Sequence, residues 1–202
     1  MNWKEIISNM DTNTIAQDRK DVLQPVIDYV QNKVDDGKVP VLNYICTHNS
    51  RRSQLSQVWG YAAAAFYGIE IVSYSGGVEV TAFNERAVRE VVDCGFEVSI
   101  KDPNGDNPIY EVRFDDHVAP LMMFSKVFDD KANSVRPFAA IMTCGHADEN
   151  CPFIPDAEAR LAVRYEDPKA FDDTDKEAEM YHVRSMQIAQ EMKYVFSSIQ
   201  KK

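Results

Sequence analysis

The feature that most constrains the fold of this chain is an apolar segment that leads directly into a cysteine and then into a helical pattern. Residues 41–45 read Val-Leu-Asn-Tyr-Ile, and Cys46 follows them. Arg52 and Ser53 come six and seven residues after Cys46, and helical spacing begins at Gln54. A nearly continuous apolar run is typical of a buried parallel strand. The segment therefore predicts a strand, a tight loop with a thiol at its mouth, and the start of a helix.

The rest of the chain extends this alternation of strands and helices. Strands are predicted over 41–45, 69–75, 96–100, 138–143 and 161–165, and helices over 54–67, 83–94 and 173–199. Gly95 directly follows the second of these helices, where a glycine commonly ends a helix. We also expect a loop or hairpin over 101–117, an extra strand over 110–114 and a short helix over 120–128. Strand–helix alternation predicts an α/β domain with a parallel sheet.

Residues 1–39 precede this pattern and are predicted to form a helical extension packed on the domain. Apolar residues recur with helical spacing over 21–34. Pro25 lies near the start of this segment, where a helix tolerates proline. We therefore divide the chain into the extension over 1–39 and an α/β domain over 40–202.

Charge and hydropathy exclude several classes of function. The 202 residues carry a net charge of -10, which argues against a protein that binds the phosphate backbone of nucleic acids. No apolar run approaches the ~18 to 20 residues of a membrane span, and residues 1–20 lack the apolar core of a signal peptide. We expect a cytoplasmic protein, whose thiols stay reduced, that contacts neither membrane nor nucleic acid.

The loop after Cys46 has the chemistry of an oxyanion site. Successive backbone N–H groups can form a nest for a tetrahedral anion, and the following helix points its positive end at it. Arg52 can hold two oxygens of the anion, and Ser53 can donate a hydrogen bond to the Cys46 sulfur. Asn49 tolerates the left-handed backbone that such a loop needs. The predicted anion-binding residues are Thr47, His48, Asn49, Ser50, Arg51 and Arg52. The competing interpretation of Cys46 is a buried cysteine at a strand end.

A second pair of cysteines, Cys144 and Cys151, follows the predicted strand over 138–143. A thiol–disulfide relay needs a resolving cysteine that reaches the first sulfur and another cysteine that takes over the disulfide. A short loop after a strand is a suitable carrier for both. Two alternatives remain open: both cysteines are structural, or they bind zinc together with His146, although the spacing fits no usual zinc motif.

Three motifs resemble those of one superfamily. Cys46 to Ser53 resembles the C-x5-R-S signature of the low-molecular-weight protein tyrosine phosphatases, with Asn49 at a matching position. This superfamily has two branches, the phosphatases and the thioredoxin-coupled arsenate reductases. Cys144 to Pro152 resembles the C-x6-C-P segment of the reductase branch, and Asp167 matches the aspartate of a late Asp-Pro. The resemblance covers about residues 40–200 and implies a central parallel four-stranded sheet flanked by helices.

The resemblance also implies a mechanism. Arsenate binds in the loop, the Cys46 thiolate attacks arsenic, and Asp167 protonates the departing oxygen. Cys144 then attacks Cys46 and releases arsenite, and Cys151 attacks Cys144 to leave a disulfide for thioredoxin to reduce. Cys94 has no role in this scheme. Neither a cofactor nor a metal ion is expected.

Several residues depart from the family pattern. Arg51 stands where a cysteine is frequent and His48 where a glycine is common, and His48 either narrows the loop, adds a donor or serves the structure. Gln57 replaces an acidic residue that helps some arsenate reductases bind potassium, so no ion site is predicted there. The acidic residues before the last helix are interpreted as its solvated N-terminus. They are Asp172, Asp173 and Asp175.

Two other functions remain open. The first is a phosphatase that acts on phosphotyrosine or a small phosphate ester through a Cys46 phosphocysteine, because the loop is common to both branches. The second is a non-catalytic redox sensor that uses Cys144 and Cys151 and has no need of Arg52 or Asp167.

Overall fold

A computed structural model describes residues 2–103, 105–150 and 153–201. Its centre is a sheet of four parallel strands in the order β2–β1–β6–β7. These strands are β1 (Val41–Cys46), β2 (Val72–Gly77), β6 (Phe138–Met142) and β7 (Ala157–Ala162). Helices flank the sheet, so the predicted fold class is confirmed. Every residue of β1 and β6 is buried, as expected for strands covered on both faces.

The described residues form six α-helices. They are α1 (Trp3–Asn9), α2 (Gln17–Asp35), α3 (Arg52–Phe66), α4 (Glu85–Asp93), α5 (Gly145–Asn150) and α6 (Glu177–Ser197). Alternate residues of β1 enter different buried clusters. Leu42 and Tyr44 pack in the larger one, together with residues of α3 and α6, and Ile45 packs in the smaller one. None of these helices combines the length and the apolar composition that a membrane span requires.

A second, antiparallel sheet corrects two predictions. It contains β3 (Glu97–Asp102), β4 (Ile109–Arg113) and β5 (Leu121–Met123) in that order. The strand predicted over 96–100 therefore pairs with β4 in a hairpin rather than joining the parallel sheet. The short helix predicted over 120–128 is wrong, because residues 121–123 pair with β4 as a strand. Backbone pairing with β4 overrides a local apolar run that does not by itself distinguish helix from strand.

Two further boundaries differ from the prediction. The last strand ends at Ala162 instead of spanning 161–165, and α6 begins at Glu177 instead of 173. Residues 168–171 form a 3₁₀ turn that begins with Pro168. Gly95 has a φ of +83° directly after α4, which confirms its predicted role as the glycine that ends that helix.

The N-terminal segment packs against the remainder of the chain. The Trp3 indole donates to the Phe114 carbonyl at 2.8 Å, and Arg19 pairs with Glu191 of α6 at 2.7 Å. Apolar residues of α2 lie in the same buried cluster as those of α6. The division of the chain at residues 39 and 40 stays a prediction.

Candidate active site

Two cysteines follow neighbouring strands at one edge of the parallel sheet. Ile45 of β1 is paired with Met142 of β6, and the Thr143 N–H donates to the Ile45 carbonyl at 2.7 Å. Cys46 closes β1, and Cys144 comes two residues after β6 ends. Both side chains lie in the same buried cluster. The sheet therefore brings together two thiols that are 98 residues apart in the sequence.

The Cys46 sulfur faces a hydroxyl donor. It lies 3.0 Å from the Ser53 oxygen, which accepts a hydrogen bond from the Asn49 amide at 2.9 Å. Because Asn49 donates to that oxygen, the Ser53 proton is available to the sulfur. A hydrogen bond of this kind stabilises the thiolate, the form that acts as a nucleophile.

Buried hydrogen bonds hold the loop in shape. Asn49 has a φ of +47°, and its side-chain oxygen accepts from the Lys126 N–H at 3.0 Å. Gln54 donates to the Asn49 carbonyl at 2.9 Å. A Cβ on Gly77 would lie only 2.8 Å from the Asn49 nitrogen, so this position of β2 requires glycine. The backbone of the loop is thus set before any ligand binds.

Arg52 links the loop to the predicted general acid. Its guanidinium donates to the Asp167 carboxylate at 2.6 Å and to the Tyr165 carbonyl at 3.1 Å. Asp167 also caps the 3₁₀ turn by accepting from the Lys169 N–H at 3.1 Å. The Arg52 Nε is buried and has no hydrogen-bond partner among the described residues. A buried unpaired donor is costly, and an oxyanion in the loop would satisfy it.

Arg51 and His48, two of the residues that depart from the family pattern, contact other side chains. Arg51 donates to the Tyr181 hydroxyl at 2.6 Å and to Asp172 at 2.9 Å. Tyr181 in turn donates to Asp172 at 2.8 Å, and burial raises the pKa of Tyr181 and keeps it protonated. His48 lies 3.2 Å from the Glu79 carboxylate. These contacts are all with protein side chains, so the binding of an oxyanion by residues 48 and 51 stays a prediction.

Asp172 corrects the interpretation of the acidic segment before α6. It is partly buried and holds Arg51, rather than marking a solvated helix end. The local sequence reveals the negative charge of this segment. The contact between Arg51 and Tyr181, which are 130 residues apart in the sequence, follows only from the fold. Sequence reasoning missed both Asp172 and Tyr181 as supports of the loop.

Polar groups surround the Cys144 sulfur. It lies 3.5 Å from the Thr47 hydroxyl and accepts a hydrogen bond from the Ala147 N–H at 3.3 Å. The same Thr47 hydroxyl lies 3.3 Å from Nδ1 of His146. Thr47 is the residue after Cys46, so its side chain spans from the loop to the second thiol. Sequence reasoning assigned Thr47 only to the anion and His146 only to an alternative zinc site.

The segment that carries Cys144 is anchored by charge. Asp148 of α5 is buried and accepts from Arg164 at 2.8 Å, and Arg160 of β7 also pairs with it. These contacts hold the first turn of α5 at the sheet edge. Cys151, the third cysteine of the predicted relay, lies outside the described residues.

Cys94 has a different environment. It is buried after α4 and donates to the Glu90 carboxylate at 3.1 Å. Burial, and then the neighbouring Glu90, raise the pKa of the Cys94 thiol. A thiol held in its neutral form is a poor nucleophile.

Comparisons with known proteins agree on the fold and on a group of relatives. No protein-family model matches the chain. The arsenate reductase of Halalkalibacterium halodurans is 28% identical over 137 residues, which cover 68% of this chain and 80% of that protein. The arsenate reductase of Bacillus subtilis is 26% identical over 137 residues, with the same coverage. The chain is therefore homologous to arsenate reductases.

A solved structure extends this likeness to the phosphatases. The low-molecular-weight protein tyrosine phosphatase from T. tengcongensis matches with a TM-score of 0.53 and 14% identity, covering 79% of this chain and 99% of that one. The identity is too low to show more than a common fold, so the structural likeness does not separate reductase from phosphatase.

Proposed function

We propose that this chain, an enzyme homologous to the arsenate reductases and built on the low-molecular-weight protein tyrosine phosphatase fold, reduces arsenate to arsenite with its own thiols. The observation that carries the proposal is the second thiol beside the first. The hydroxyl of Thr47, the residue after Cys46, lies 3.5 Å from the Cys144 sulfur. Ester hydrolysis requires one nucleophile, whereas reduction requires a second thiol that can reach it.

In the first step arsenate binds to the N–H groups of residues 47–52 and to the unpaired Nε of Arg52. The Cys46 thiolate attacks arsenic, and one arsenic–oxygen bond breaks. Asp167 donates its proton to the departing oxygen, which leaves as water. The contact of Arg52 with Asp167 supports this role, because it holds the carboxyl group beside the group that would bind the anion.

In the second step Cys144 attacks the Cys46 sulfur. A Cys46–Cys144 disulfide forms as the sulfur–arsenic bond breaks, and the electron pair of that bond stays on arsenic. Arsenic thereby goes from the pentavalent to the trivalent state, and arsenite leaves. The Ala147 N–H and the Thr47 hydroxyl lie within hydrogen-bonding distance of the Cys144 sulfur that makes this attack.

In the third step Cys151 attacks Cys144 and frees the Cys46 thiolate. A dithiol reductant of the thioredoxin type then supplies two electrons and reduces the Cys144–Cys151 disulfide. The balance is one arsenate and one external dithiol converted into arsenite, one disulfide and water. A cytoplasmic location, where thioredoxin and reduced thiols are available, suits this cycle.

Phosphatase activity is the second candidate. The Cys46–Ser53 contact and the Arg52–Asp167 pair offer a nucleophile, a guanidinium for the anion and a carboxyl group for proton transfer, and hydrolysis of a phosphate ester uses the same groups. We therefore expect hydrolysis of an activated ester in addition to arsenate reduction. A redox sensor that does not catalyse a reaction would need neither the guanidinium of Arg52 nor the carboxyl group of Asp167.

The test measures NADPH oxidation with arsenate, thioredoxin and thioredoxin reductase, beside hydrolysis of para-nitrophenyl phosphate. Cys144→Ser and Cys151→Ser should each abolish arsenate turnover while ester hydrolysis persists. Full arsenate turnover in either variant would refute the relay. Ester hydrolysis by the wild-type chain without any arsenate-dependent oxidation of NADPH would assign the site to a phosphatase, and the absence of both activities would favour the sensor.

A further inference from the structure

A second cluster of ligand-type side chains lies between α4 and α6. Glu90 belongs to α4 and Cys94 follows its last residue, and His182 projects from α6. One ligand atom of each residue lies within 4.8 Å of the other two. Residues four apart project from the same face of a helix, so Glu90 and Cys94 both face the neighbouring helix. Carboxylate, thiol and imidazole are the donor types that zinc takes in proteins.

The distances in the cluster are close to those of a tetrahedral site. The Cys94 sulfur lies 3.1 Å from Glu90 Oε1, and His182 Nδ1 lies 3.1 Å from the same oxygen. Bond lengths to zinc of ~2.0 to 2.3 Å and tetrahedral angles place such ligand atoms ~3.3 to 3.5 Å apart. Cys94 and His182 would therefore each have to move only a few tenths of an ångström away from Glu90 to reach this spacing, and a ligand atom of His182 lies within 4.8 Å of the Cys94 sulfur.

Burial and access also fit an ion. Cys94 and Glu90 are buried, whereas 59% of the His182 side chain is exposed, so its ring can turn to admit an ion and then close on it. Solvent at the exposed side of His182 can supply a water molecule as the fourth ligand.

We propose that Glu90, Cys94 and His182 bind a zinc-type divalent cation, with water as the fourth ligand. The thiol proton that Cys94 shares with Glu90 is released to solvent, and the ion takes its place. A thiolate, a carboxylate and a divalent ion sum to zero charge, which reduces the cost of holding them in a buried position. The competing interpretation is a set of hydrogen bonds that joins the two helices without an ion.

The position of the site indicates what the ion would do. It would join α4 to α6 across their interface. The Asn84 N–H, directly before α4, donates to the Ser50 carbonyl of the anion loop at 3.0 Å. Arg86 of α4 donates to Glu177 of α6 at 2.6 Å. The ion would thus stabilise the two helices that support the loop, without contact with the proposed catalytic thiols.

The test titrates the full-length chain with cobalt chloride and follows the sulfur-to-cobalt charge-transfer band. The background is the Cys46→Ser, Cys144→Ser, Cys151→Ser variant, in which Cys94 is the only thiol. We expect one equivalent of cobalt with this band, and its complete loss when Cys94→Ser is added. Glu90→Gln and His182→Ala should weaken binding by at least about tenfold, the loss seen for weaker outer-shell changes. His117→Ala, an exposed histidine elsewhere, is the matched control.

Zinc chloride provides an independent measurement. It should raise the thermal unfolding midpoint of the background protein, because an ion that binds only the folded state stabilises it. The shift should disappear in His182→Ala, which changes an exposed side chain and so retains the fold. Cobalt without a charge-transfer band, or binding that is unchanged by Cys94→Ser and His182→Ala, would overturn the proposal in favour of the hydrogen-bonded cluster.

Discussion

Cys46 and Cys144 at the sheet edge contrast with Cys94 between α4 and α6. Their exposed fractions are 3%, 1% and 1%, so burial does not separate them. Their neighbours do. The first two sulfurs lie beside hydroxyl and N–H groups, whereas that of Cys94 faces a carboxylate. The comparison shows that the groups around a buried thiol, rather than its depth, decide whether it is fitted to act as a nucleophile or to bind a cation.

The three thiols have different neighbours because they lie at the ends of different strands and helices. A strand that ends at Cys46 exposes its sulfur to the N–H groups of the loop and to the helix start that follows. Cys94 lies at the opposite end of a helix, where carbonyl groups and the Glu90 side chain are negative. Four experiments test whether the surroundings of each thiol determine its chemistry.

Replacing Cys46 tests whether the sheet-edge thiol is the nucleophile. Cys46→Ser should lower both arsenate turnover and ester hydrolysis by on the order of 10³-fold or more, because a serine in this loop has no base to activate it. Steady-state rates on both substrates measure the effect, and circular dichroism checks the fold. Turnover within tenfold of wild type would remove Cys46 from the mechanism.

Replacing Asp167 tests the general acid beside that thiol. Asp167→Asn keeps the shape and a hydrogen-bonding group for Arg52 but removes the proton, so the turnover number should fall by about 10²- to 10⁴-fold. Asp175→Asn, an exposed carboxylate in the segment before α6, is the matched control and should change neither rate. Equal effects of the two changes would show that Asp167 influences the rate through its negative charge and not as a proton donor.

Alkylation compares the thiols directly in one molecule. Iodoacetamide should label Cys46 first near neutral pH and leave Cys94 unlabelled, with peptide mass spectrometry as the measurement. Because burial and Glu90 raise the pKa of Cys94, it should stay unlabelled even at about pH 9, where an ordinary thiol of pKa ~8.5 is mostly ionised. In denaturant all four cysteines should react alike. Early labelling of native Cys94 would contradict the contrast.

A change beside Cys94 should affect stability without affecting catalysis. Ser185 lies 3.9 Å from the Cys94 sulfur and accepts a hydrogen bond from the Trp59 indole at 2.9 Å. Ser185→Ala leaves this buried donor unpaired, so the free energy of unfolding should fall by about 1–3 kcal/mol. Urea denaturation measures the loss, and Ser197→Ala on the exposed end of α6 is the control. A drop in turnover with an unchanged free energy of unfolding would show that the surroundings of Cys94 influence catalysis at Cys46, which the contacts around Ser185 do not predict.

Much of the site at Cys46 could be predicted from the amino-acid sequence alone. The apolar run into Cys46, the spacing to Arg52 and Ser53 and the glycine after α4 are local patterns. Local patterns also predicted the parallel α/β architecture, because strands that alternate with helices usually form one parallel sheet, although β3 after α4 joins the second sheet instead. They did not predict that residues 121–123 pair as a strand, since a three-residue apolar run carries no period.

The contacts between residues that are distant in the sequence follow from the tertiary structure. The position of β6 beside β1 brings Thr47 to Cys144, although 97 residues separate them. The packing of α6 places Tyr181 on Arg51 and His182 on Glu90. Strand order and helix packing depend on the whole core, whereas a sequence pattern records only the neighbours of each residue. For this reason the loop and the later cysteine pair could be predicted from the sequence, whereas the placement of Cys144 beside Thr47, the supports of the loop and the cluster around Glu90 could not.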